Sequence, residues 1–135
     1  MKLVLCGSMA FAKKMIQTKT DLIALNHEPN LNELIEGYVK QDVSVSEAIK
    51  ENKIKYDIFK VYFEEIKNSD SILVINEEKK GVKGYIGGNA FLEMGFAYVL
   101  DKKIFLLNDI PDLPIKDEII AMKPIVLNGD LSLIK

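Results

Sequence analysis

Glu93 is the residue whose sequence context most strongly indicates a functional side chain. It lies within residues 91–97, FLEMGFA, a segment that is otherwise apolar apart from glycine. A carboxylate buried among such residues is costly unless it has a partner, and its environment can tune its pKa. The pattern therefore indicates that Glu93 is a candidate functional carboxylate. Two other interpretations stay open: Glu93 could occupy a narrow polar stripe, or pair with the N–H groups at the start of its own helix.

A glycine-rich loop, residues 81–89 (GVKGYIGGN), leads directly into that helix. The pair Gly87-Gly88 lets the backbone approach a ligand closely, and the first N–H groups of a helix attract anions. We therefore expect Gly87, Gly88 and Asn89 to contact a phosphate or another anion. The alternative is a flexible turn into a helix. The loop matches neither the dinucleotide-binding fingerprint nor the P-loop.

The remaining reactive side chains are few. Ser8 could donate to a phosphate or a sugar hydroxyl, whereas Cys6 is typical of a small buried apolar residue. Asp70 precedes a strand, where turn residues and caps are common. With one Cys and one His, the chain can form neither an internal disulfide nor a multi-Cys or multi-His metal site. We expect no metal and no cofactor. Because His and Cys are so scarce, any catalysis is expected to fall to carboxylates. Residues 77–80, EEKK, are typical of a solvated loop.

Apolar runs alternate with helical patterns along the chain. The predicted strands are Lys2 to Cys6, Ser71 to Ile75, Ile104 to Leu107 and Pro124 to Leu127, with one further strand expected early in the chain. The predicted helices begin near Met9, at Ser44 or Ser46, at Asn89 (to Leu100) and at Ile115 (to Met122), with Leu31 to Gln41 as a short helix or loop. The clearer half of the helix that begins at Ser44 or Ser46 runs from Lys55 to Lys67. The first helix breaks at residues 26–30, NHEPN.

This alternation predicts an α/β protein, a flavodoxin- or Rossmann-like three-layer sandwich with a mostly parallel sheet of about five strands. Ligands bind at the carboxyl ends of the strands in such sheets, near the topological switch point. Three segments of the chain are expected to lie at these carboxyl ends. They are Gly7-Ser8-Met9, the loop after Ile75, and residues 108–111, which begin with Asn108.

The length and net charge of the chain further limit the kinds of protein that it can be. The chain has 135 residues, which predicts one domain over 1–135. Eighteen basic and 20 acidic residues give a net charge of −2, which argues against a nucleic-acid polymer as partner. No apolar run approaches the roughly 20 residues needed to cross a bilayer. We expect a cytoplasmic protein that does not associate with membranes.

Residues 68–75 (NSDSILVI), 89–97 (NAFLEMGFA) and 102–108 (KKIFLLN), together with the glycine loop, resemble the nucleoside 2-deoxyribosyltransferase family and its 2′-deoxynucleoside 5′-monophosphate N-glycosidase relatives. The resemblance covers most of the chain and is specific from about Asn68 to Asn108. It implies that Glu93 is a nucleophile that attacks the anomeric carbon and expels the base. It also implies that Asp70 holds the substrate or protonates the base, and that the protein is a homo-oligomer, a dimer or larger.

The chain departs from the family at two positions. The transferases typically have an aspartate six residues before the glutamate, where this chain has Gly87. The tyrosine near the end of the first strand is missing, and Tyr85 is a candidate replacement. Three hypotheses follow: cleavage or transfer of the N-glycosidic bond of a nucleoside or nucleotide; a non-catalytic nucleotide-binding or sensor module; and an interaction protein in which Glu93 is a satisfied core carboxylate.

Overall fold

A computed structural model describes residues 1–33, 35, 36 and 57–135. The first part of the helix predicted from Ser44 or Ser46, and most of the segment predicted from Leu31 to Gln41, lie outside these residues. The described strands and helices are β1 (Lys2–Gly7), α1 (Ala12–Ala24), β2 (Glu28–Asn30), α2 (Ile58–Lys67), β3 (Ser71–Ile75), α3 (Gly88–Val99), β4 (Lys103–Leu106), α4 (Lys116–Ala121) and β5 (Ile125–Val126), with short 3-10 helices at Met9–Phe11 and Leu131–Leu133.

The described residues form a five-stranded sheet in the order β2-β1-β3-β4-β5, and every strand pair is parallel. This order is the flavodoxin-like one and confirms the predicted α/β class. The break predicted at residues 26–30 ends α1 and then forms the short edge strand β2. Pro29 is tolerated there because an edge strand has one side without a partner strand.

Alternation along β1 directs side chains into two separate cores. Leu3 and Leu5 pack with α1 on one face of the sheet, through residues such as Met15. Val4 and Cys6 pack with α2, α3 and α4 on the other face. Both faces are therefore covered by helices, which explains why β3 is buried along its whole length.

The topological switch point lies between β1 and β3, because the chain continues to opposite sides of the sheet from these two strands. Gly7 pairs with Ile75 at the carboxyl ends. A Cβ at Gly7 would stand 2.9 Å from the carbonyl oxygen of Ile75, so only glycine fits without a shift. None of the helices in the described ranges has the length and apolarity needed to cross a bilayer.

Candidate functional site

Glu93 lies on the face of α3 that packs against the sheet. Ala90, Met94 and Ala97 share this face, at the i, i+3 and i+4 spacing of a helix, and all three are buried. Glu93 itself is 6% exposed. The structure thus excludes a Glu93 carboxylate that points to solvent.

Cys6 meets this carboxylate from the carboxyl end of β1. Its side chain is fully buried, and its Sγ donates to the carbonyl oxygen of Val4 at 3.9 Å. Burial raises the pKa of the Cys6 thiol well above its usual value, and the negative charge of Glu93 raises it further. The thiol therefore keeps its proton at neutral pH and serves as a donor.

The helix α2 closes the cluster with Tyr62 and Glu65. Tyr62 is buried, and its pKa is raised well above the usual value by burial first and then by the charge of Glu93. Burial also raises the pKa of Glu65, and a hydrogen bond with Asn30 partly offsets this effect. Sequence reasoning missed Tyr62 as a neighbour of Glu93, and it missed Glu65 as a neighbour of Cys6 and Tyr62. Their helical spacing marked an inward face of α2 but not what that face meets.

A lysine and a serine form a second polar group at the carboxyl edge of the sheet, by which we mean the side where the carboxyl ends of the parallel strands lie. The Oγ of Ser8 accepts from the backbone N–H of Ala10, and the Nζ of Lys79 donates to the same Oγ at 3.0 Å. Lys79 also lies over the ring of Tyr85, 5.2 Å from its centroid. The loop containing Lys79 was predicted to be solvated, but paired backbone hydrogen bonds with Val82 fix the turn and turn this lysine inward over the edge.

The glycine pair at the start of α3 lies at this same edge. Gly87 packs against Tyr85, with its Cβ position 3.4 Å from the ring. Apart from the two chain neighbours and the backbone of α3 itself, no described atom lies within 4 Å of where a Cβ at Gly88 would stand, which leaves space beside the first turn of α3. Asn89 follows within that turn. Tyr85 itself packs against the core on the α1 side of the sheet, whereas Glu93 lies on the other side.

Two asparagines tie the edge loops together. The fully buried Asn76 donates from Nδ2 to the carbonyl oxygens of Asn108 and Asp109 at 3.0 and 3.1 Å, and accepts at Oδ1 from the N–H of Asn108. Asn108 donates in return to the carbonyl oxygen of Asn76. Asn108, predicted to contact substrate, thus has its amide nitrogen engaged in holding the loops. Its partner Asn76 was missed because nothing in its sequence context distinguishes it from other loop residues.

The structure brings some predicted site residues together and separates others. Gly7, Ser8 and the segment Gly87 to Asn89 share the carboxyl edge, with Glu93 just below it. Met9 lies in the adjoining 3-10 helix and packs toward the α1 side. Asp70 stands at the amino edge of the sheet, where its Oδ2 accepts from the N–H of Lys2 at 2.8 Å.

Comparison with known proteins finds no family model and no curated protein that matches this chain. Among the described residues, no three His, Cys, Asp or Glu side chains are grouped so that they could hold a metal ion.

Proposed function

We propose that this protein cleaves or transfers the N-glycosidic bond of a deoxynucleoside or its 5′-monophosphate, the activity that the resemblance to nucleoside 2-deoxyribosyltransferases implies. The observation that carries the proposal is the buried carboxylate of Glu93 directly below the carboxyl edge, at the switch point between β1 and β3. Parallel α/β sheets bind their ligands at this place. A buried carboxylate with no functional role would only lower the stability of the fold.

The chemistry suited to this carboxylate is a double displacement. One oxygen of Glu93 forms a bond to the anomeric carbon of the sugar while the bond from that carbon to the base nitrogen breaks, and the base leaves with the bonding electrons and takes up a proton. Water, or a second base, then attacks the same carbon and releases the carboxylate. This is the logic of retaining glycosidases, which divide one difficult step into two.

The polar group of Lys79 and Ser8, at the same carboxyl edge of the sheet, suits the other end of a nucleotide. Lys79 supplies a cation and Ser8 a hydroxyl, and Gly88 leaves space beside the first turn of α3. Charge-assisted hydrogen bonds of this kind favour a phosphate. Asp70 is left out of the proposed machinery, because it lies at the opposite edge of the sheet from these groups.

The test is release of free base from deoxynucleoside 5′-monophosphates, followed by chromatography. We expect Glu93→Gln to lower the rate by about a thousandfold or more, because the amide retains the shape of the side chain but not its nucleophilic charge. Glu64→Gln, an exposed position on α2, is the matched control and should leave the rate unchanged. No base release by wild type, or equal release by Glu93→Gln, would contradict the proposal.

The second candidate is a nucleotide-binding module without turnover. The contact between Lys79 and Ser8 favours it, because an anion can bind at that edge without any chemistry at Glu93. A nucleotide present at 100 times its dissociation constant would then raise the free energy of unfolding by about 2.7 kcal/mol. Such a stabilisation, measured by thermal shift and accompanied by no base release, selects this candidate.

A further inference from the structure

Tyr85 is the aromatic residue over which the side chain of Lys79 lies at the carboxyl edge of the sheet. The Nζ of Lys79 is 5.2 Å from the centroid of the Tyr85 ring, within the range in which the negative face of an aromatic ring attracts a cation. The same Nζ donates to the Oγ of Ser8 at 3.0 Å. The ammonium group is therefore held between a ring face and a hydroxyl.

The backbone that carries Lys79 forms a tight turn. Lys79 and Val82 exchange two backbone hydrogen bonds, of 3.1 and 2.9 Å. The two residues between them, Lys80 and Gly81, have positive φ angles of +52° and +74°, as the type I′ turn of hairpins requires. The turn fixes where the side chain of Lys79 begins, but it leaves the flexible four-carbon stem of that side chain free to rotate.

The ring of Tyr85 is anchored by contacts that do not involve the lysine. The backbone N–H of Tyr85 donates to the carbonyl oxygen of Glu77 at 2.9 Å, and the side chain packs against the buried apolar cluster on the α1 side of the sheet. A Cβ at Gly87 would stand 3.4 Å from Cε1 of the ring, so the ring also lies against the loop that enters α3. The ring is thus the fixed partner of the pair, and the lysine side chain is the flexible one.

Neither partner neutralises the charge of Lys79. An aromatic face and a hydroxyl carry no net charge. In the part of the chain that the structure describes, the ion pairs are those of Lys19 and Lys60, and no carboxylate lies within ion-pairing distance of the Nζ of Lys79. A lysine held in this way keeps its charge for an anion, and it loses less side-chain freedom when the anion binds, because its position is already restricted.

We propose that Tyr85 is a positioning residue for Lys79: the face of its ring holds the ammonium group beside Ser8, where this group meets the 5′-phosphate of a deoxynucleotide substrate. The inference rests on the proposed glycosidic function and adds to it a residue that determines the preference for phosphorylated substrates. Tyr85 does not touch the phosphate in this arrangement and acts only through Lys79. Its hydroxyl is not needed for this role, because the face of the ring attracts the cation.

Nuclear magnetic resonance tests the contact without any need for turnover. Protons above the face of an aromatic ring resonate upfield, so we expect the ε-methylene signal of Lys79, assigned by its loss in Lys79→Met, to lie upfield in wild type. The shift should persist in Tyr85→Phe and disappear in Tyr85→Leu, which keeps an apolar side chain but has no ring. The signal of the exposed Lys80 is the control and should stay in place. An unchanged Lys79 signal in Tyr85→Leu would overturn the contact.

Steady-state kinetics test the positioning role. We expect Tyr85→Leu to raise KM for a deoxynucleoside 5′-monophosphate about fivefold, as for one lost cation–π contact, and to leave KM for the unphosphorylated deoxynucleoside unchanged. Tyr85→Phe is the matched control and should stay within about twofold of wild type with both substrates, because it keeps the ring face. A general disturbance of the loop would raise KM for both substrates.

Two further measurements keep the test independent of how well Tyr85→Leu folds. Fluorinated phenylalanines introduced at position 85 keep the shape of the ring but withdraw negative charge from its face, so KM for the monophosphate should rise with each added fluorine. In the Lys79→Met background, loss of the ring should have no further effect on KM, because two residues that act through one contact are not additive.

The outcomes separate this inference from the function on which it rests. Equal changes of KM with both substrates, or additive losses in the Lys79→Met background, would overturn the positioning role while the glycosidic function stood. Absence of base release by wild type would overturn the function. The dissociation constant of the deoxynucleoside 5′-monophosphate, measured by calorimetry on the same variants, would then decide the role of Tyr85, and absence of binding would overturn both.

Discussion

The carboxylate of Glu93 is held at a position where packing alone would favour an aliphatic side chain. Its neighbours on α3 are alanine and methionine, and the sheet below contributes Val4 and Cys6. A single buried carboxylate in such surroundings lowers stability unless hydrogen bonds or a charge partner compensate for it. At the scale of the residue, the strongest indication of function is that a carboxylate occupies a position where an aliphatic side chain would stabilise the fold more.

Glu65 should make stability depend on pH. Its folded-state pKa lies above the ordinary value of 4.5 because of burial, so between these two values the folded state holds more protons than the unfolded state. The free energy of unfolding therefore falls as pH rises from 4.5 through the folded-state pKa. We expect Glu65→Gln to remove this fall, so that the variant gains stability relative to wild type as pH rises.

Urea unfolding at a series of pH values measures this effect. Glu64→Gln is the control on the same helix, since its side chain is exposed. If the difference between Glu65→Gln and wild type stays constant from pH 4 to neutral pH, burial of Glu65 does not perturb its titration.

Lys79 should determine the preference for a phosphate. Replacing it with methionine keeps most of its length but removes the charge next to Ser8. We expect Lys79→Met to raise KM for a deoxynucleoside 5′-monophosphate about tenfold, as for a lost hydrogen bond to a charged group, and to leave KM for the unphosphorylated nucleoside unchanged. Steady-state rates with both substrates measure it, with the exposed Lys80→Met as control. Equal changes with both substrates would show that Lys79 does not face the phosphate.

At the scale of elements, the loops after β3 and β4 act as one unit. Asn76 spans from one loop to backbone groups of the other, and Gly84 makes the close approach that lets them meet. The loop after β3 leads into α3 and therefore fixes where Glu93 stands. The order of strands and helices here followed from sequence periodicity, but the link between the loops did not, because its partners are more than 30 residues apart.

Glycine-to-alanine substitutions at Gly84 and Gly95 should change the free energy of unfolding in opposite directions, the first through a close loop contact and the second through helix propensity. Gly84 has a φ of +69°, and a Cβ there would overlap the carbonyl oxygen of Asp109. We expect Gly84→Ala to lower the free energy of unfolding by about 2 kcal/mol or more. At Gly95, inside α3, no described atom lies within 4 Å of the Cβ position, and Gly95→Ala should raise it by about 0.5 to 1 kcal/mol. Denaturant unfolding compares the two, and changes of the same sign would contradict this account.

At the scale of the whole molecule, the parallel sheet has two chemically different edges. All described strands run the same way, so every carboxyl end lies at one edge and every amino end at the other. Glu93, Ser8 and Lys79 are at or just below the first, and Asp70 is at the second. Chemistry at one edge should therefore be insensitive to the other.

Asp70→Ala tests this separation. We expect it to leave kcat and KM for base release within about twofold of wild type and to lower the free energy of unfolding by about 1 kcal/mol, because it removes the 2.8 Å bond that Asp70 accepts from the N–H of Lys2. A large loss of kcat in a well-folded Asp70→Ala variant would restore the family role that the resemblance implies. The homo-oligomer implied by the same resemblance stays a prediction, which sedimentation would measure.

The sequence by itself determined the class of fold and the leading residue. Periodicity and apolar runs predict secondary structure because they are local properties, and the scarcity of His and Cys directed attention to carboxylates. Only the tertiary structure decided that Cys6 and Tyr62 meet Glu93, that Lys79 meets Ser8, and that Asp70 lies at the far edge. These are contacts between residues remote along the chain, and strand order and direction, which no local pattern encodes, decide which of them form.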